Sequence, residues 1–232
     1  IPGPETDRLA ELAKLYENTF RNINIALANE FALMCRRLGV SSREVIDAAA
    51  TKPFGFMPFY PGPGIGGHCI AVDPFYLSWK MRLNGYEPRF IHIADEINQH
   101  MPEHVVELVT AALNHRRRSV NGASILALGV AYKANVGDTP ESPALEILAT
   151  LRAKGADVAY TDPWVPSAPV GAVVLKSGVL SVQRLAVADC VLILTDHAAF
   201  DYAHIVATAQ LVVDARNATW GPAASDGRVV RL

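Results

Sequence analysis

The sequence predicts an all-helical first half followed by a second half of α/β class, a parallel sheet covered by helices. Three observations carry this. Apolar residues recur at helical spacing from Asp7 to Leu38, a proline- and glycine-rich stretch interrupts the chain between Lys52 and Gly67, and past Arg118 short apolar runs alternate with helical segments. At 232 residues the chain is long enough for two compact units, 1–119 and 120–232, with the boundary near Val120. No internal repeat relates the halves.

The first helix is drawn by Leu9, Leu12, Ala13, Tyr16, Phe20, Ile23, Leu27, Leu33, Met34 and Leu38, with Gly39 as its C-cap. A helix of roughly 30 residues is long for a globular unit and suits a spine or an oligomer seam. Ser41-Ser42-Arg43-Glu44 forms a capping box that opens a second helix to Ala50. Pro53, Pro58, Pro61 and Pro63, with Gly55, Gly62, Gly64, Gly66 and Gly67, then exclude helix or central strand, because proline lacks the donor and glycine resists ordering. Asp73-Pro74 reads as the start of a third helix to about Asn84, Asp at N-cap and Pro in first position. Separate helices are expected over Glu87–His100 and Pro102–Arg118.

In the second half Ser124–Leu128, Asp157–Tyr160, Cys190–Leu194 and Leu211–Val213 are strand candidates. Helical stretches Pro143–Lys154 and Asp201–Ala209 separate them.

Half of the residues are hydrophobic and 19% are charged, which excludes a disordered scaffold. Lys plus Arg is 21 and Asp plus Glu is 23, net −2, so no nucleic-acid or anionic-membrane partner is expected. Runs such as Val191–Leu194 fall far below the roughly 18 residues of a membrane span. Ile1-Pro2-Gly3-Pro4-Glu5 has neither a basic start nor an apolar run, so no signal peptide is expected. Three widely spaced cysteines, Cys35, Cys69 and Cys190, do not make a disulfide framework and read as reduced thiols of a cytosolic protein.

The sharpest chemical signal is Gly62-Pro63-Gly64-Ile65-Gly66-Gly67-His68-Cys69, with Asp73 four residues on. The glycines let backbone N–H groups approach a ligand, and a thiol near a helix start has its thiolate favoured by the dipole. A tight loop around a buried cysteine would read the same way. Lys14 and Asn18, four apart on one helix face, are either site residues or an exposed polar stripe. Gly129-Val130-Ala131-Tyr132-Lys133 follows the first strand of the second half, where such a sheet presents its ligand-binding edge. With one glycine it is not a dinucleotide loop. Lys133 there, and Arg216 after Leu211–Val213, are candidates for a phosphate or simply surface cations. His68 beside Cys69 lacks the paired Cys or His spacing of a zinc site, so no metal is expected. The remaining histidines show no pattern, and Arg116–Arg118 complement a helix C-terminus.

Together these pieces resemble the nucleotide-sugar dehydrogenase family, NAD-dependent enzymes that oxidise the 6-hydroxymethyl group of a UDP- or GDP-sugar to a carboxylate. The resemblance runs from Glu11–Asn18 through Gly66–Pro74, Gly129–Lys133, Asp138–Pro143 and Asp162-Pro163 to Asp214–Asn217. Lys52–Tyr60 looks most like the bacterial branch acting on UDP-N-acetylglucosamine. The resemblance implies a central dimerisation domain, a homodimer through the long helix, and a Rossmann-like UDP-binding domain. It implies that Cys69 is the nucleophile, passing through a thiohemiacetal and a thioester. Lys14 would stabilise oxyanions, Asn18 would position the reacting oxygen or a water, and Asp73 would orient or activate water. Lys133 and Arg216 would meet the UDP diphosphate, while the loop from Phe59 and Tyr60 through Gly66 lines sugar and nucleotide. A cytoplasmic enzyme supplying uronic acids to a surface polysaccharide follows from the same resemblance.

Three departures stand out. Pro140 occupies the place where the family has an NAD-approaching Arg, and Ala71 replaces a common proline. Nothing in the chain corresponds to the family's N-terminal NAD domain, so the expectation is a fragment, inactive alone, whose cofactor-binding residues are not identified. Rival readings are the same chemistry on UDP-glucose or UDP-N-acetylmannosamine, a non-catalytic UDP-sugar-binding module, and an interaction scaffold that explains none of the motifs. Retention of Cys69 opposes the binding module.

Overall fold

A computed structural model describes residues 4–220 and 227–232, which divide into two compact units. The first comprises residues up to Tyr60 with Ile65–Gln99; the second comprises Pro61–Gly64 and His100–Leu232.

In the first unit α1 spans Pro4–Leu38 and α2 spans Ser42–Ala50, with the Glu44 amide donating to the Ser41 hydroxyl as the capping motif predicts. The buried stripe of α1 is made of small and amide side chains, Asn18, Asn22, Ala26, Asn29 and Ala32. Leu9, Leu12, Tyr16, Phe20, Leu27, Met34 and Leu38 are exposed instead.

The third helix begins earlier than expected: α3 runs His68–Leu83, capped by Gly67. Gly67 sits at φ 82°, a region open to glycine, and this turns the chain into helix directly after the loop. Asp73 is therefore not an N-cap and Pro74 lies inside the helix. The two helices expected on either side of Met101 are one, α4 (Arg89–His115), with Pro102 inside it. The unit boundary falls within α4 rather than at Val120. The reason is packing: Val105, Val106, Leu108, Val109 and Leu113 of α4 are buried in the core of the second unit.

In the second unit β1 (Ser124–Leu128), α5 (Pro143–Ala153) and β2 (Asp157–Thr161) are followed by a hairpin of β3 (Ser167–Val170) and β4 (Val173–Lys176). Then come α6 (Val182–Val187), β5 (Cys190–Ile193), α7 (Tyr202–Thr208), β6 (Val212–Asp214) and β7 (Val229–Arg231). The main sheet has the order β2-β1-β5-β6-β7, every pair parallel, with Leu126 opposite Ala159 and Val191.

Alternate residues build two cores, as the pleat requires. Ile125, Ala127, Leu192 and Val213 pack with α4 and α5 residues such as Leu113 and Leu148. Leu126, Leu128, Val191, Ile193 and Val212 pack with Leu185, Ile205 and Val206 of α6 and α7. Helices on both faces explain why these strands are near-continuous apolar runs. The hairpin, α6 and β7 were not expected. They are short and carry weak signals, Pro169 in β3 among them.

Candidate active site

Cys69 lies in the first turn of α3, exposed, beside the amides that a helix leaves free at its start. Asp73 is four residues on, one turn away on the same face. Its Oδ2 accepts a 2.6 Å hydrogen bond from Asn18 Nδ2, and Asn18 is 2% exposed on α1. A second amide, Asn22, was missed by the sequence. Pro74 has no N–H to give the carbonyl of Ile70, and Asn22 Nδ2 takes that role at 3.3 Å. The backbone carbonyl of Asn22 accepts from Asn98 Nδ2 at 3.3 Å, and Asn98 Oδ1 accepts from Asn29 Nδ2 at 2.9 Å. A ladder of buried amides thus ties α1 and α4 to the first turn of α3. The signal for it was a row of asparagines at helical spacing among small residues.

The other expected residues of this unit make contacts of their own. Lys14 is exposed and pairs with Glu17 at 3.0 Å; that bond, with the charges of Lys14 and Arg21, holds the Glu17 carboxyl below its usual range. Phe59 packs edge-on to Phe20 with ring centroids 5.8 Å apart. It lines an apolar cavity of about 260 Å³ with Leu27, Phe31, Ile46 and Met57. Tyr60 donates to Asp47 at 2.7 Å beneath the Arg43 guanidinium, which sits 4.1 Å from the ring centroid. The hydrogen bond to Asp47 raises the Tyr60 pKa and lowers that of Asp47, with Arg43 assisting on the carboxylate. Gly66 stands directly before the capping Gly67.

In the second unit Lys133 and Arg216 follow the C-terminal ends of β1 and β6, two strands of one parallel sheet. Lys133 is exposed, its ammonium 5.5 Å from the Tyr132 ring centroid. Arg216 Nε donates to Asp196 at 3.1 Å, leaving the outer nitrogens of its fork for another acceptor. Gly62 backs this arginine: a Cβ there would lie 2.7 Å from Nη1.

Behind that edge lies Asp162, whose side chain is fully buried. Oδ2 accepts from the Val130 amide at 2.8 Å, the Ala131 amide at 3.3 Å and His197 Nε2 at 3.1 Å. Oδ1 accepts from the Trp164 and Val165 amides at 2.8 and 3.0 Å. Burial opposes ionisation, but the bonds from His197, Val130 and Trp164 outweigh it and hold the carboxyl below its usual range. His197, read as patternless in the sequence, is buried too. Its place directly after the apolar run Val191–Leu194 was the available clue. Among the described residues no cluster of three His, Cys, Asp or Glu is placed to hold a metal ion, and no helix is long and apolar enough to cross a membrane.

Two family profiles match the chain. "UDP-glucose/GDP-mannose dehydrogenase family, central domain" covers residues 8–100, and the UDP binding domain of the same family covers residues 126–220. The chain belongs to the UDP-glucose/GDP-mannose dehydrogenase family. Among relatives of this dehydrogenase family, UDP-N-acetyl-D-glucosamine 6-dehydrogenase from Pseudomonas aeruginosa is 41% identical over 158 residues, 68% of this chain and 37% of that protein. UDP-N-acetyl-D-mannosamine dehydrogenase from Escherichia coli K12 is 37% identical over 220 residues, 90% of this chain and 50% of that protein. The solved UDP-D-ManNAc dehydrogenase from Pyrococcus horikoshii superposes with TM-score 0.81 at 33% identity, covering 96% of this chain and 51% of its own. The chain thus spans about half, or less, of the length of these relatives.

Proposed function

We propose that this chain is the substrate-handling part of a UDP-sugar 6-dehydrogenase that oxidises the 6-hydroxymethyl group to a carboxylate, with UDP-N-acetylglucosamine as the favoured substrate. The observation that carries the reading is an exposed Cys69 one helical turn before Asp73, whose carboxylate Asn18 holds at 2.6 Å. The alcohol first becomes the aldehyde, losing a hydride from carbon and a proton from oxygen. The Cys69 sulfur then attacks the aldehyde carbon to give a thiohemiacetal, loss of a second hydride gives the thioester, and water releases the acid and restores the thiol. Asn18 and Asp73 orient the reacting oxygen or the water, and Lys14 steadies negative charge on oxygen once released from Glu17.

NAD would accept the hydrides in this reading, two molecules for each carboxylate formed, but the residues present do not fit it. The turn after β1 has one glycine, Gly129, and so lacks the glycine series that brings a dinucleotide's pyrophosphate onto the backbone. Pro140 supplies no guanidinium either. No residue of this chain is assigned to NAD, and the chain alone is expected to be inactive.

The UDP diphosphate is assigned to Lys133 and Arg216, the sugar and nucleotide to Phe59, Tyr60 and Gly66. The exposed stripe Leu9, Leu12, Tyr16 and Phe20 of α1 supports a homodimer through that helix. Sedimentation should then give twice the chain mass of 25.0 kDa. A cytoplasmic enzyme that supplies uronic acids for a surface polysaccharide completes the reading. UDP-N-acetylmannosamine is the second candidate substrate, favoured by the 37% identity to the Escherichia coli relative over 90% of the chain.

Calorimetric titration with UDP-N-acetylglucosamine, UDP-N-acetylmannosamine, UDP-glucose and NAD tests the assignment. Binding of one N-acetylated sugar nucleotide and none of NAD is expected; NAD binding alone would sink it. Iodoacetamide should label one thiol per native chain, and none after Cys69→Ser. Cys35 is buried, and burial pushes the Cys190 thiol up to about 12. Gly62→Ala should leave the melting temperature in place, because the new methyl meets only the far end of Arg216. UDP binding should weaken by about 1 kcal/mol, roughly fivefold, as the guanidinium is displaced.

A further inference from the structure

We infer that His197 is a positioning residue for the loop that carries Lys133, an inference that rests on the diphosphate role proposed for Lys133. Strand order reverses between β1 and β5, so the loops after these two strands flank the crevice where such sheets bind ligands. The two loops are laced together. The Asn135 amide donates to His197 Nδ1 at 2.9 Å, the Ala198 amide donates to Asn135 Oδ1 at 2.9 Å, and Thr195 Oγ1 donates to the Ala131 carbonyl at 2.7 Å.

Since a backbone N–H can only donate, His197 Nδ1 must accept, and the ring is neutral with its proton on Nε2. That proton goes to Asp162 Oδ2, which also receives the Val130 and Ala131 amides. The loop is therefore clamped at both ends, at Val130–Ala131 by Asp162 and at Asn135 by His197. The two clamps are bonded to each other. Trp164 packs on the imidazole with centroids 4.6 Å apart and Phe200 meets it edge-on at 5.7 Å, so the ring has one place to be.

Lys133 needs such a frame. It is exposed on a flexible four-carbon stem, and among the described residues no ion pair holds it. Its location is set by the backbone that carries it. Asn135 holds that backbone in the left-handed region at φ 62°, and its two bonds to the β5 loop support the conformation. A loop fixed before the ligand arrives lowers the ordering cost of binding.

Two isosteric changes separate the halves of the clamp. His197→Gln keeps a donor near Nε2 for Asp162 and removes the acceptor for Asn135. His197→Asn keeps an acceptor near Nδ1 and removes the donor to Asp162. The probe is UDP, titrated calorimetrically into the wild-type chain and both variants, with thermal unfolding recorded alongside. The Gln variant should bind UDP about tenfold more weakly with a modest change in melting temperature. The Asn variant should melt lower yet bind UDP within about twofold of wild type. Asn135→Gly, at an exposed position compatible with its φ, removes the reciprocal acceptor and should weaken UDP binding without loss of fold. Unchanged UDP affinity in both the Gln and Gly variants would overturn the inference. So would affinity that falls in step with melting temperature across all three, since His197 would then act only on stability. A wild-type chain that does not bind UDP overturns the diphosphate assignment itself, and the inference with it.

Discussion

Asp162→Ala is expected to destabilise the second unit by about 3 kcal/mol or more, since each buried donor left unsatisfied costs about 1–3 kcal/mol. The carboxylate is fully buried and accepts from four backbone amides and from His197. Alanine would leave all five donors without their acceptor. Asp162→Asn should cost less but still be harmful, because an amide NH₂ must then face either the His197 proton or a backbone N–H. Urea unfolding at pH 7, followed by circular dichroism, checks the order Ala worse than Asn worse than wild type. A loss below 1 kcal/mol for Ala would mean that the loops hold themselves.

The pH dependence of the same group has a defined sign. Its folded pKa is lowered below the unfolded value of about 3.9, so the folded state binds the proton less readily. The stabilisation is complete above that value and is lost as pH falls through the folded pKa. Wild type should therefore lose stability on going from pH 5 to pH 3 more steeply than Asp162→Asn does. Parallel curves for the two proteins would assign the acid sensitivity to other carboxylates.

The second large effect is expected at Gly129. This residue has φ 79°, and a Cβ would clash with the Thr195 side chain and lie 2.8 Å from its carbonyl oxygen. Thr195 cannot retreat easily, because its amide bonds to the Leu128 carbonyl at 3.2 Å and its hydroxyl to Ala131 at 2.7 Å. Overpacking of about 1–3 kcal/mol adds to the cost of a left-handed conformation, about 1–2 kcal/mol, so Gly129→Ala should lose about 3 kcal/mol or more. Gly39→Ala is the control: φ 69° with nothing near its Cβ position, so only the conformational cost remains. If the two variants unfold at the same urea concentration, close packing on Thr195 is not what requires glycine after β1.

The sequence made the sheet legible because its strands are short apolar runs between turn signals; Ser124–Leu128 emerges with the bounds expected. The glycine loop and its cysteine were legible for the same reason, as local chemistry in a local pattern. What escaped depends on partners far along the chain. Pro74 reads as a helix start because its missing N–H normally forbids an interior position. Asn22, 48 residues earlier, accommodates it by serving the orphaned Ile70 carbonyl. Pro102 was read as a boundary for the same cause. His197 gave no pattern because its partners are Asp162 and Asn135, 35 and 62 residues away. The large side chains of α1 drew the helix correctly, yet the face buried within the unit is the quieter one, lined by asparagine and alanine.

Pro61–Gly64 belongs to the second unit although the segments on both sides of it belong to the first. The units are therefore not successive beads on the chain. An expression product starting at His100 would fold without the strip of backbone that lies against Arg216. If Arg216 meets the UDP diphosphate as proposed, the affinity of such a product for UDP would understate that of the whole unit. The same holds for exchange between relatives: a crossover between the two family matches, after residue 100 and before 126, would join an Arg216 to a foreign Gly62. Such an exchange keeps the backing of Arg216 only where the incoming loop also has glycine at position 62.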